Sequence, residues 1–151
     1  FGAIPTETLE AFNAAAAALI ATLPSGRWPI FDGYRTFDFP SDVVAIAMRN
    51  AILLRELRGG VHTDAVKDAG LTPAEACFLD RDGAYFALHG FQDDDKPAVT
   101  DELRERRENA EADTTTRMAT LLDAISAAER EALVAGATAM AGALADPQPV
   151  R

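Results

Sequence analysis

The stretch HTDAVKDAGLTPAEACFLDR, His62 to Arg81, decides the fold. It reads as two short apolar-periodic helices joined at Gly70-Leu71, the pattern of a helix-turn-helix. Thr72-Pro73-Ala74-Glu75 is a strong helix start, with Thr72 at the cap, Pro73 at the first position and Glu75 placed to close a capping box. The charge of the second helix is wrong for a DNA reader, however. It carries Glu75 and Asp80 and no Lys or Arg, whereas affinity for DNA comes largely from cations set against phosphates.

Working outward, the same imbalance persists. From Ser41 to Asp80 the acidic residues Asp42, Glu56, Asp64, Asp68, Glu75 and Asp80 face only Arg49, Arg55, Arg58 and Lys67. From Phe91 to Asp113 nine acidic residues face four basic ones, and only Arg104, Arg106 and Arg107 cluster. The whole chain of 151 residues carries a net charge of -10. With 48% hydrophobic and 25% charged residues it fits one globular domain. Cys77 is the single cysteine, so neither an intrachain disulfide nor a thiolate cluster is possible, which favours a reducing cytoplasm. The longest apolar run, Ala14 to Ala21, is far too short to span a membrane. The chain opens at Phe1 rather than Met, as a trimmed or cut chain would.

The remaining segments read as helical almost throughout. Thr6–Leu23 places Leu9, Phe12, Ala16, Leu19, Ile20 and Leu23 on one face, and Pro24-Ser25-Gly26 stops it. Arg27–Pro40, with Trp28, Phe31, Tyr34, Phe37 and Phe39, reads as an aromatic loop, either a strap over the core or a pocket wall. Ser41 is placed to cap a helix running to Arg58 and ended by Gly59-Gly60, with a separate short helix from His62 to Ala69. Gly83–Phe91 is ambiguous between strand and short helix, and helix is favoured for want of a second strand. Gln92–Pro97 is a polar loop, and Asp93–Asp95 lacks the ligand spacing of a calcium site. Thr100 caps a long charged helix whose apolar stripe thickens at Met118, Leu121, Leu122 and Ile125. Ser126 and Glu129 form another capping box before a last helix with Leu133, Val134, Ala137, Met140, Ala141 and Leu144 on its apolar side. A Pro-rich tail follows from Asp146. The expected architecture is all-α, a single multi-helix domain over 1–151. It comprises an N-terminal helix and aromatic loop (1–40), a trihelical element (41–91) and a C-terminal helical pair (100–145).

The stretches Gly26–Asp42 (GRWPIFDGYRTFDFPSD) and Met48–Ala76 (MRNAILLRELRGGVHTDAVKDAGLTPAEA) resemble the C-terminal half of a family of helical, helix-turn-helix-type proteins from actinobacteria. Its Gly-Arg-Pro-Leu aromatic segment matches Gly26-Arg27 and the Trp28 loop. Its Leu-Arg-Glu-His-Arg-Gly-Asp-Gly-His run matches Leu54 to His62. Thr100–Met118 and Ile125–Leu133 are similar to the helices after that family's wing and, more loosely, to the C-terminal dimerisation helices of MarR-type regulators. The chain departs from the family at Leu57, where the family has a histidine, and at Gly60, where it has an acidic residue. The interval from Phe91 to Thr100 is also too short for a wing, so either the wing is lost or a stretch is missing from the sequence.

Three classes of function follow. One is a helical ligand-binding or protein-interaction module, with Trp28, Phe31 and Tyr34 as pocket wall and Arg55, Arg58 and His62 holding a small aromatic or acidic ligand. The competing reading of that cationic group is purely structural: it satisfies carbonyls at a helix end and pairs with Glu56 or Asp64. The second class, which the resemblance implies, is a MarR-like dimeric regulator touching DNA through Arg104, Arg106 and Arg107. The third is an enzyme, for which no acid–base constellation is evident and no catalytic residue is assigned. His62 and His89 have no metal-ligand spacing, so no metal or cofactor is expected. Cys77 beside Phe78 reads as a small core residue. A homodimer through the C-terminal helices is the expected assembly.

Overall fold

The computed structural model describes residues 3–37 and 41–145. Phe39 and Pro40 of the aromatic segment and the tail from Asp146 lie outside the described residues. The described chain is all-helical, with α1 (Thr6–Thr22), α2 (Pro29–Arg35), α3 (Val43–Asp68), α4 (Pro73–Phe78), α5 (Asp101–Leu122) and α6 (Ala127–Ala145). Single 3-10 turns at Asp80–Gly83, Ala87–His89 and Asp93–Asp95 link α4 to α5. No described helix is long and apolar enough to cross a membrane. The chain divides into two compact units, Phe1–Leu57 with Ala119–Arg151 and Arg58–Met118, and the divisions fall within α3 and α5.

In the first unit α1 packs against α6. The face read from the sequence is the buried one: Leu9, Phe12, Ala16 and Leu19 are each at most 1% exposed. Opposite them α6 turns inward Leu133, Gly136 and Met140. Its expected apolar side is only partly right, because Val134 and Leu144 are 67% and 65% exposed, and Ala137 and Ala141 are exposed too. The reason is Gly136, which no apolar-face count includes. A Cβ there would lie 2.5 Å from the Phe12 Cβ, so the missing side chain sets which face of α6 approaches α1.

Between Trp28 and Thr36 the structure corrects the expected loop. The segment is a helix, with Pro29 at its first position, where a missing N–H costs nothing. Trp28 and Phe31 point into the core at 4% and 0% exposure, edge to face with centroids 6.2 Å apart. The Asp32 carboxylate accepts from Gly26 N–H at 2.9 Å and ties the helix to the preceding turn. The next helix is capped one residue later than expected. Asp42 Oδ1, not Ser41, accepts from the Val44 and Ala45 N–H groups, and a carboxylate adds charge complementarity to the helix dipole.

The largest correction concerns α3, which runs unbroken through Gly59-Gly60 instead of stopping there. Each glycine costs a helix interior about 1 kcal/mol relative to alanine. Burial outweighs that cost here. Leu53, Leu57, Val61 and Ala65 recur every fourth residue and none is more than 2% exposed, a stripe worth about 2 kcal/mol per large side chain.

Gly70 is where α3 does end, with φ +68°. Gly70 N–H bonds the Lys67 carbonyl and Leu71 N–H the Val66 carbonyl, the two crossed bonds of a Schellman motif. The capping box on α4 is formed as read, Glu75 N–H donating to Thr72 Oγ1 and Thr72 N–H to Glu75 Oε2. Thr100 caps α5 through Leu103 N–H, and Ser126 and Glu129 close the box on α6. The ambiguous segment from Gly83 to Phe91 is turns and a 3-10 turn rather than strand. Leu71, Leu103 and Ala110 form a small core of the second unit, with Val66, Ala69, Ala76 and Leu79 packed around it.

Candidate functional site

Two helical faces in the second unit carry the polar groups that meet. On α3, Arg58, His62 and Val66 follow one another at four-residue spacing. On α5, Arg107, Glu111 and Thr114 do the same at four and three. Glu111 is the meeting point. Its Oε1 accepts from Arg107 Nη1 at 2.6 Å and its Oε2 from Arg58 Nη2 at 3.1 Å, and His62 Nε2 stands 3.9 Å from Oε1.

Hydrogen bonding fixes the tautomer of His62. The buried Thr114 hydroxyl donates to the Ala110 carbonyl at 2.7 Å, its one proton thereby used. Its oxygen therefore accepts from His62 Nδ1–H at 2.9 Å, and the lone pair of the neutral ring sits on Nε2. Burial lowers the His62 pKa below its ordinary 6.5, opposed by Glu111 and reinforced by Arg107 and Arg58, with Asp80 a lesser opposing charge. Burial alone would raise the Glu111 carboxyl, but the hydrogen bond and charge of Arg107, with His62 and Arg58 behind them, outweigh it and the pKa is lowered. Around neutral pH the cluster is thus an anion held by two guanidiniums beside a neutral imidazole.

This cluster forms one wall of a cleft of about 620 Å³, in the size range of small-molecule sites. Four cations, Arg58, Lys67, Arg81 and Arg107, line it against two carboxylates, Asp80 and Glu111. In a chain of net charge -10, it is a local positive basin that favours anions. Val66, Leu71, Ala76 and Phe91 supply an apolar surface. Phe91 is held by stacking on the buried Phe86 at 4.9 Å, and Phe86 by an edge-to-face contact with Phe78 at 5.2 Å. Cys77 also faces the cleft, but burial and Asp80 push its thiol pKa up, away from thiolate chemistry.

Of the residues singled out in the sequence as ligand-binding, Arg58 and His62 come together here. Trp28, Phe31, Tyr34 and Arg55 belong to the other unit. Trp28 and Phe31 are core, Tyr34 stacks edge to face with Phe37, and Arg55 pairs with Glu56 at 2.8 Å. Because α3 continues past Gly59-Gly60, Arg55, Arg58 and His62 are not at a helix end, and the carbonyl-capping reading falls with it. The arginine cluster on α5 is dispersed by its partners. Arg106 donates to the Gly70 carbonyl at 3.0 Å and lies 3.6 Å from Glu75, Arg107 holds Glu111, and Arg104 is exposed. Sequence reading missed Glu111 and Thr114. Their spacing from Arg107 was visible, but which face of so evenly charged a helix turns inward was not.

A sequence profile described as the helix-turn-helix family matches residues 1–93. The chain belongs to the helix-turn-helix family. The match ends before α5 and α6. No curated protein and no solved structure matches the chain.

Proposed function

With helix-turn-helix membership as the premise, we propose that this protein is a small-ligand receptor whose helix-turn-helix serves as a wall of the binding site rather than as a reader of base pairs. The observation that carries this reading is the positive cleft on a strongly acidic chain, built from the end of α3, from α4 and from α5. The turn and second helix of the motif are packed, half-buried, against the small core of their own unit. Leu71 and Ala76 face α5, Glu75 is used in its own cap, and no Lys or Arg stands between Thr72 and Asp80. A thermal-shift screen of amphipathic small molecules tests it. Stabilisation by acidic members that is lost in Arg107→Ala is the expected result, and a screen in which no compound stabilises the protein overturns the reading.

Helix-turn-helix membership supports a second reading, a regulator contacting DNA, which the resemblance of the C-terminal helices would make MarR-like and dimeric. In that case Arg104 on α5 makes phosphate contacts, and affinity for random duplex falls steeply with salt. A gel shift with no retardation at low salt eliminates it. The exposed Val134 and Leu144 on α6 are compatible with a homodimer, and a monomer by sedimentation at high concentration rules that out.

A further inference from the structure

The cleft already displays how it holds a carboxylate, because Glu111 is one. The two grips on it are unequal. The Arg107 side chain is 15% exposed, whereas that of Arg58 is 54% exposed and sits at the rim. Rim ion pairs contribute about 0–1 kcal/mol, so Arg58 is released at little cost while Arg107 keeps Glu111 in place. Next to the released guanidinium lies His62 Nε2, whose ring is oriented by Thr114 and whose 3.9 Å separation from Glu111 is too long for a hydrogen bond.

We propose that the cleft takes a monocarboxylate with an apolar body, whose carboxylate draws Arg58 off Glu111 and seats against His62 Nε2 as the imidazole takes up a proton. This rests on the small-ligand reading above. Proton uptake follows from the company the ligand keeps. Its carboxylate comes to lie beside Glu111, and two anions at such range repel unless a positive group stands between them. His62 is the group between them, and its neutral state in the empty cleft leaves it a proton to gain. The charges facing the ring are Glu111 and Arg107 from α5, Arg58 and Lys67 from its own helix, and Asp80 and Arg81 from the turn after α4. Cys77 and His89 complete the titratable groups of the cleft. The apolar body lies on Val66, Leu71, Ala76 and Phe91.

Binding raises the His62 pKa from its depressed value in the free protein. Affinity is therefore full below the free-state pKa and falls, by up to about tenfold per pH unit, as pH rises through the pKa of the complex. The experiment is calorimetric titration with 3-phenylpropionate, its neutral amide and the corresponding amine, between pH 5.5 and 8, in two buffers of different ionisation enthalpy. The expected result is binding of the acid at least about tenfold tighter than the amide or amine, with uptake of up to one proton. His62→Gln should abolish the uptake, His89→Gln should keep it, and Arg58→Gln should weaken the acid about tenfold; circular dichroism checks that each variant is folded. Acid and amide binding alike, or uptake that persists in folded His62→Gln, overturns the proposal and leaves the receptor reading intact. Failure of all three probes to bind also overturns it, and the receptor reading then stands or falls on the broader screen.

Discussion

The two units reach a helical fold by different means. In Phe1–Leu57 with Ala119–Arg151, large apolar side chains on α1, α2 and α3 are buried, and α6 comes close enough at Gly136 that no methyl group fits against Phe12. In Arg58–Met118 the shared core is small, and polar ties do much of the positioning. Arg106 reaches the Gly70 carbonyl, Arg117 lies 2.7 Å from Asp68, and Arg58 and Arg107 close on Glu111. A region held by long charged side chains leaves space between them, and the cleft lined by Arg58, Arg107 and Glu111 opens there. The cleft therefore belongs to the polar unit.

That contrast can be broken most directly at Phe12. Phe12→Ala should cost about 3–5 kcal/mol by leaving a cavity in a close-packed core, measured as a loss of chemical stability; a cost below 1 kcal/mol would mean that the α1–α6 contact is not the organising one. Gly136→Ala attacks the same contact from the other side. Overpacking of about 1–3 kcal/mol should exceed the roughly 1 kcal/mol gained in helix propensity, so the melting temperature falls. In the polar unit single substitutions should do less. Gly70→Ala places a Cβ at φ +68° and should cost about 1–2 kcal/mol, while Arg106→Ala, removing one charged hydrogen bond to the turn, should cost about 1 kcal/mol.

The smallest effect is one of pH. The folded-state pKa of His62 lies below its ordinary 6.5, so the unfolded chain binds the proton first. The stability that His62 contributes is complete above 6.5 and is lost as pH falls through the folded-state pKa. Glu111 and Glu75, both depressed below 4.5, repeat the pattern at lower pH. Urea midpoints measured from pH 7.5 down to 5 should therefore decline, and His62→Gln should flatten that decline. A wild-type midpoint that rises on acidification over that range contradicts the cluster's electrostatics.

Much of the fold was legible because its signals are local. A cap needs a side chain within three residues of the N–H groups it serves, so Thr72, Thr100 and Ser126 announced their helices. The positive φ of Gly70 likewise marks a stop that only the end of a periodic run needs. Gly59-Gly60 carried the same local signal and was overruled, because Leu57 and Val61 on either side are buried, which no local signal reports. The aromatic segment offered either a strap over the core or a pocket wall. Trp28 and Phe31 are buried as a strap would have them, but Pro29–Arg35 is helix rather than loop.

The sequence by itself determined the all-α class, the caps and turn of the helix-turn-helix, and an acidic balance that weakens any case for base reading. Periodicity, capping and net charge are properties of neighbouring residues or of simple sums. Tertiary structure decided that α3 is one helix, that α6 meets α1 through a glycine, and that Arg107, Glu111 and Thr114 face Arg58 and His62. Those outcomes depend on which helix faces are apposed. On α5, where charge covers nearly every face, only packing against α3 and α4 could choose one.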